Sequence, residues 1–513
     1  MSSHGKRQGG GRFVLALDQG TTSSRGILFD ERGSPVAVEQ AEFPQHTRSA
    51  FAAEADQSIV EHDPEDIWNS QIGCAQRVIA KAGIGIDQVA AIGITNQRET
   101  TILWERATGR PVAPAVVWQS RVSAPICARH KAQGDEAAVR AATGLLLDPY
   151  FSATKIVHLL ETIPGLRSRC EAGEILFGTV DAFLIWRLTG GRVHATDVTN
   201  ASRTLLYDIH RGEWSAEMCS LFGIPRAILP EVRPSSGSFG AADPRWLGGA
   251  VPIAGCAGDQ QAAAFGQGCV AAGTAKNTYG TGAFLLFSTG ARPVASGSGL
   301  LTTPACAVGG DQHYFLEGAV FVAGALVGWL RDGLGIIAQS RDIEPLARSV
   351  ADTGGVMIVP ALTGLGTPDW DPFARGLIIG LSRATTRGHV ARAALEGIAL
   401  SVADVVGCMQ EDASLRLGSL RVDGGASAND LLLQIQADVL GIPVERPAVL
   451  ETTALGAALL AGMATGVYAD HRAIDEARRI AARFEPRLDE ASRQRLRSRW
   501  REAVERAKGW ARP

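Results

Sequence analysis

The segment Asp18-Gln19-Gly20-Thr21-Thr22-Ser23-Ser24-Arg25 sets a carboxylate, a glycine, several hydroxyls and a guanidinium side by side. Gly20 permits a tight turn and leaves room for a phosphate. Thr21, Thr22 and Ser23 add hydroxyl and N–H donors, so the turn can form an anion-binding concavity. Asp18 can hold Mg2+ directly or through water, and Arg25 can neutralise phosphate charge. The same residue types also suit a plain polar hairpin. Two further turns repeat the theme: Tyr279-Gly280-Thr281-Gly282, and Asp423-Gly424-Gly425-Ala426-Ser427-Ala428-Asn429. In the last, glycines admit a close ligand, and Asn429 either reaches a base or caps a helix. No GxxxxGK[ST] segment occurs, which argues against a Walker-type site. Asp259, after a buried strand, can take a proton from a substrate hydroxyl, as phosphoryl transfer requires, or can cap the helix that follows. Arg98 and Glu99 offer a donor fork and an acceptor for adjacent hydroxyls, or else form a surface ion pair. Trp118, Tyr150 and Phe284, taken singly, are core or interface aromatics.

Elements must position these groups. Phe13-Val-Leu-Ala-Leu, Gly26-Ile-Leu-Phe and Val36-Ala-Val read as three strands of a meander. Asp63-Pro64-Glu65-Asp66 starts a helix, with Asp63 as cap and Pro64 at the first helical position, and Gly83 stops it. Val89–Ile94 is a buried strand ending at Asn96-Gln97-Arg98-Glu99. The order recurs later. A strand runs from Val251 into Gly258-Asp259, and Ala283–Phe287 is another. A helix spans about 386–410, the strand Leu420–Gly425 follows, and helices cover 429–440 and 453–464. Such alternation predicts two α/β domains with a boundary near residue 256. The expected division is a tail at 1–12, domains at 13–256 and 257–470, and a charged helical extension at 471–513.

The chain of 513 residues is too long for a single core. Its 46% apolar and 20% charged residues are globular in proportion, and a net charge of −3 favours neither nucleic acid nor an anionic membrane as partner. No apolar run is long enough to span a membrane. Met1–Arg12 lacks the apolar core of a secretory signal. Eight scattered cysteines without a CxxC pair read as reduced thiols of a cytoplasmic enzyme.

Together, DQGTTSSR at Asp18–Arg25, GITNQRETT at Gly93–Thr101, VWQ at Val117–Gln119, DPYF at Asp148–Phe151, GDQQ at Gly258–Gln261, NTYGTG at Asn277–Gly282 and DGGA at Asp423–Ala426 resemble the FGGY carbohydrate kinases. The likeness runs in order from about Phe13 to about Gly466, and its polyol segments resemble the glycerol-phosphorylating branch. The resemblance implies the two-lobed α/β fold of actin-like ATPases (sugar kinase, heat-shock chaperone, actin), with the active site in the interdomain cleft. It implies Mg2+ with ATP as co-substrate, glycerol as acceptor, and a homo-oligomer (dimer or tetramer). By the same likeness Arg98, Glu99, Tyr150, Asp259 and Gln260 hold the polyol, and Trp118 and Phe284 wall its carbons. Asp259 is the general base and, with Asp18, lies by the metal. Thr21, Thr22, Ser23, Arg25 and Thr281 line the phosphates, and Gly324, Gly425 and Asn429 surround the nucleoside.

Some positions depart from the family pattern. The segment 43–61 is longer, with Ser58-Ile59 where Gly-Trp is usual. Leu247-Gly248-Gly249-Ala250-Val251 lacks the Arg that contacts fructose 1,6-bisphosphate in many members, and no His lies between His210 and His313 to act as a phosphorylation switch. Gly328 replaces a polar neighbour of the adenine. Rival readings are a kinase of another small polyol or ketose, a noncatalytic chaperone-like ATPase, and an assembly-forming actin-like protein. The first would be expected to alter Arg98, Glu99, Trp118 or Phe284.

Overall fold

A run of apolar residues that are all buried has to be a central strand, and Phe13–Gln19 (β1) is one: Val14 to Leu17 are at most 1% exposed. β1 turns at Gly20 into the antiparallel β2 (Ser23–Phe29), which pairs with β3 (Pro35–Glu42). On its other side β1 pairs in parallel with β6 (Val89–Asn96), and β6 with β7 (Ile253–Gly258). The sheet order is therefore β7-β6-β1-β2-β3, with β7 at the edge. The expected meander is present. So is the helix Pro64–Ala82, capped by Asp63, which accepts from Glu65 N–H at 2.9 Å, and ended by Gly83 at φ 66°. The long segment before it is no open loop. Its residues form a hairpin, β4 (His46–Ala52) with β5 (Ala55–His62), paired from His46↔Glu61 to Ala52↔Ala55.

In this computed structural model, which describes residues 12–52, 55–469 and 472–511, the chain divides into two units. The first comprises the described part of Met1–Gly266 with Thr303–Gln312 and Thr452–Ala477. The predicted tail at 1–12 lies outside the described residues apart from Arg12. The units are not continuous in sequence, unlike the division at residue 256 read from the chain. Two helices expected in the later domain, Asp259–Gly266 and Thr452–Ala464, belong to the first unit. The latter is apolar on all sides and almost wholly buried, as a helix packed on several surfaces must be. It lies against β1, β6, β7 and the Asp259 helix. At Gly456 a Cβ would stand 1.9 Å from the Ala262 carbonyl oxygen, so only glycine allows this approach.

The second unit holds Gln267–Thr302, His313–Glu451 and the described part of Arg478–Pro513. Its strands repeat the logic of the first. β8 (Ala275–Tyr279) turns into antiparallel β9 (Ala283–Gly290), which pairs with β11 (Tyr314–Val320). Leu301 and Thr302, the part of strand β10 (Leu301–Pro304) that falls in this unit, lie at that edge. On the other side β8 pairs in parallel with β12 (Leu420–Asp423), and β12 with β13 (Val444–Pro447). The C-terminal extension is not helical throughout. β14 (Ile480–Phe484) adds antiparallel to β13 at the sheet edge. The helix Glu490–Ala507 then buries Trp500, whose indole N–H donates to Asp404 at 2.6 Å.

Candidate active site

In the first unit the turn Gly20–Thr22 is closed by Gly20 N–H donating to the Ser23 carbonyl at 2.9 Å. Thr21 and Thr22 stand at its tip, whereas Ser23 and Arg25 lie in β2, with Ser23 accepting from Gln40. Arg25 is opposite Asp18 in the ladder, and its guanidinium approaches the Asp18 carboxylate at 3.8 Å. Thr21 is tied to a second candidate, because the Trp118 indole N–H donates to its hydroxyl at 3.0 Å. Trp118 meets Tyr150 edge-to-face with centroids 5.6 Å apart. The aromatics read singly as core are thus half-buried partners of the polar turns.

Arg98 and Glu99 are no surface ion pair. Both are buried, at 3% and 1% exposure, just beyond the end of β6. Arg98 Nε lies 3.1 Å from Asp259 Oδ1 and 3.8 Å from Glu99 Oε1, and its Nη1 donates to Gln261 at 3.2 Å. Asp259 opens its helix, with Oδ1 accepting from Gln260 N–H at 2.7 Å, and about a third of its side chain is exposed. The structure therefore gathers Arg98, Glu99 and Asp259, with Gln260 next in the helix.

Three residues missed in the sequence hold this group. Arg203 Nε donates to Glu99 Oε1 at 2.6 Å, and its guanidinium lies 5.1 Å from the Phe151 ring centre and 5.8 Å from that of Tyr150. Lys155 Nζ donates to the Glu99 carbonyl at 3.1 Å and the Tyr150 carbonyl at 2.7 Å. Ser152 donates to the same Glu99 carbonyl at 3.0 Å. Burial pushes the Lys155 amine down to about 7, although Glu99 and Asp148 pull it upward. The available signal was a lysine directly before the apolar pair Ile156-Val157 in the helix Ser152–Thr162.

Asp18 is 8% exposed at the end of β1, a hard oxygen donor beside the phosphate-type turn. Mg2+ takes one or two carboxylates and completes its shell with water and substrate phosphate, so this environment suits it. Among the described residues, the cluster able to converge three ligands is Asp181, Asp197 and Cys256, which contains neither Asp18 nor Asp259. Its oxygens are taken up by internal donors: Thr179 and Thr196 on Asp181, and Thr199, Asn200 and Ser235 on Asp197.

The second unit contains a cavity of about 480 Å³ whose wall includes Thr281, Gly324, Gly425 and Asn429, all four nucleotide candidates of that unit. Tyr279 and Leu395 add apolar surface. Gly328, on the helix Gly324–Asp332, does not line it. Gly424, at φ 83°, passes so close to β8 that a Cβ would stand 2.4 Å from the Tyr279 carbonyl oxygen. Asn429 caps the helix Asp430–Leu440, accepting from Leu432 N–H at 2.9 Å, and still lines the cavity. Phe284 is half-buried in β9 of this unit, opposite Ala319. Two larger depressions of the first unit, about 860 and 640 Å³, include none of the candidates.

The N-terminal domain profile of the FGGY family of carbohydrate kinases matches residues 13–266, and the family's C-terminal domain profile matches 275–465. The chain belongs to the FGGY family of carbohydrate kinases. As a member it is a kinase, a phosphoryl transferase using ATP, with the two-domain α/β fold of the actin-like ATPases. It is 54% identical over 501 residues to a glycerol kinase of Trichlorobacter lovleyi, covering 98% of this chain and 100% of that one. It is 56% identical to a glycerol kinase of Thermus brockianus, covering 97% and 99%. A solved structure of Plasmodium falciparum glycerol kinase with ADP matches with a TM-score of 0.90 at 34% identity, covering 97% of this chain and 98% of that one. No helix among the described residues of this FGGY kinase is long and apolar enough to cross a membrane.

Proposed function

We propose that this FGGY kinase is an ATP-dependent glycerol kinase. It transfers the γ-phosphoryl group to a terminal hydroxyl, giving sn-glycerol 3-phosphate and ADP. The observation that carries the reading is the buried Arg98–Glu99 pair meeting the part-exposed Asp259 at one place in the first unit. Full-length relatives named glycerol kinase support the same acceptor. Arg98 and Glu99 supply a donor and an acceptor for vicinal hydroxyls, with Gln260 and the Tyr150 hydroxyl beside them. Buried groups built for hydroxyls disfavour a ligand lacking them. Trp118 and Phe284 wall the carbons and disfavour bulky sugars.

Asp259 acts as general base. As the terminal oxygen forms its bond to the γ-phosphorus and the bond to the β-phosphate oxygen breaks, the hydroxyl proton passes to its carboxylate. Thr21, Thr22, Ser23, Arg25 and Thr281 orient and neutralise the phosphates. Gly324, Gly425 and Asn429 receive the nucleoside. Asp18 and Asp259 are the residues that would hold Mg2+, which would supply charge neutralisation at the phosphates. A homodimer or homotetramer and a cytoplasmic setting complete the reading; eight free cysteines suit a reducing compartment.

The test is ATP-dependent phosphorylation across glycerol, dihydroxyacetone, erythritol and pentuloses. Glycerol is expected to give the highest kcat/KM, and a higher value for any other acceptor overturns the assignment.

A further inference from the structure

The run Asp197-Val198-Thr199-Asn200 takes no part in the proposed chemistry, yet Asp197, Thr199 and Asn200 are buried. Asp197 caps the short helix Val198–Ala201. Its Oδ1 accepts from Asn200 N–H at 3.0 Å and from the Asn200 amide at 2.9 Å. Its Oδ2 accepts from Thr199 N–H at 3.0 Å, the Thr199 hydroxyl at 2.8 Å and the Ser235 hydroxyl at 2.7 Å. A fully buried carboxylate is tolerable when such donors surround it. Burial pushes the Asp197 carboxyl up, and these same donors pull it down.

Two arms leave this carboxylate. The Thr199 hydroxyl, which donates its hydrogen bond to Asp197, accepts from Gly258 N–H at 2.8 Å. Gly258 is the last residue of β7 and directly precedes Asp259. Backbone bonds from the segment Ser235–Gly240 cover the outer side of β7 up to Cys256, and beyond them the hydroxyl takes the Gly258 N–H. Along the other arm, Asn200 and Asn96 exchange a reciprocal pair of amide hydrogen bonds, at 3.1 and 3.0 Å. Asn96 also donates to the Gln97 carbonyl at 2.8 Å, immediately before Arg98.

We propose that Thr199 and Asn200, both fixed by Asp197, are positioning residues that set the proposed base Asp259 and the polyol-binding pair Arg98–Glu99 relative to each other. Thr199 governs the placement of the base, and Asn200 that of the hydroxyl-binding turn. The inference rests on the functional reading above for the roles of Asp259 and Arg98.

The test pairs Thr199→Val, which keeps the shape and removes the hydroxyl, with Thr199→Ser, which keeps the hydroxyl. The acceptor is whichever panel member the wild-type enzyme uses best, so a wrong choice of glycerol cannot imitate failure here. Thr199→Val is expected to lower kcat about 10- to 100-fold with acceptor and ATP KM within about threefold. Thr199→Ser should restore kcat to within about threefold of wild type. Asn200→Ala should instead raise the acceptor KM about tenfold or more while the ATP KM holds. A Thr199→Val enzyme with wild-type kcat, or a Thr199→Ser enzyme equally impaired, overturns the proposal. If Thr199→Val does not fold, Asn200→Ala decides, and an unchanged acceptor KM overturns it. If the wild type phosphorylates no panel member, the functional reading fails by itself. Hydrogen exchange at the Gly258 amide then reads the link, which is refuted if Thr199→Val leaves protection unchanged.

Discussion

Glu99 has φ 62°, a left-handed conformation uncommon for a residue with a Cβ, and it is held there from three sides. Lys155 and Ser152 fix its carbonyl, and Arg203 fixes its carboxylate. With the folded amine at about 7, the unfolded chain holds the extra proton between that pH and the ordinary lysine value. Stability from this site therefore rises with pH above 7, and below 7 the cost of a buried charge is constant. Lys155→Met removes the titration. We expect the wild type to gain on this variant by up to about 1.4 kcal/mol per pH unit between pH 7 and 9 in urea melts. A flat difference would show that the amine does not titrate there. At the proposed base, Asp259→Asn should cut kcat about 10²- to 10⁴-fold while glycerol still binds calorimetrically. Near-normal kcat would remove Asp259 from that role. The type and spacing of Asp259, Arg98 and Glu99 made them legible in the chain. Arg203 and Lys155 were not, because their partners lie 104 and 56 residues away from them in sequence.

Asn429 shows how one element carries two duties. The sequence left a base contact and a helix cap as alternatives, and the cap is present on the wall of the nucleotide-sized cavity. Asn429→Asp keeps the capping oxygen, and Asn429→Ala loses it at about 1 kcal/mol. If the amide also meets the nucleoside, Asn429→Asp should keep wild-type stability and raise the ATP KM several-fold. An unchanged ATP KM in that variant leaves Asn429 as a cap alone. The segment 43–61 marks the reverse situation. Its excess length was evident, but its pairing as β4 and β5 was not, since register depends on which partner strand is present.

For the whole molecule, the candidates divide between two units that each repeat a turn, an antiparallel extension and parallel partners. Ligands should therefore protect separate segments. Glycerol at about 100-fold its Kd is expected to slow hydrogen exchange around 97–101 and 258–261 by about 2.7 kcal/mol, and ADP to do so around 424–440. Protection of one common segment by each ligand alone would contradict the division. The chain by itself determined the α/β alternation, the three glycine turns and the polar candidates, because strand periodicity, capping and turn chemistry act over a few residues. Only the tertiary structure decided that Thr452–Ala464 packs in the first unit, that Ile480–Phe484 extends the second sheet, and that Arg203, Lys155 and Thr199 stand behind the site. Those facts depend on contacts between residues tens to hundreds of positions apart. Close approach of backbones and satisfaction of buried polar groups select such contacts, and neither leaves a local pattern in sequence.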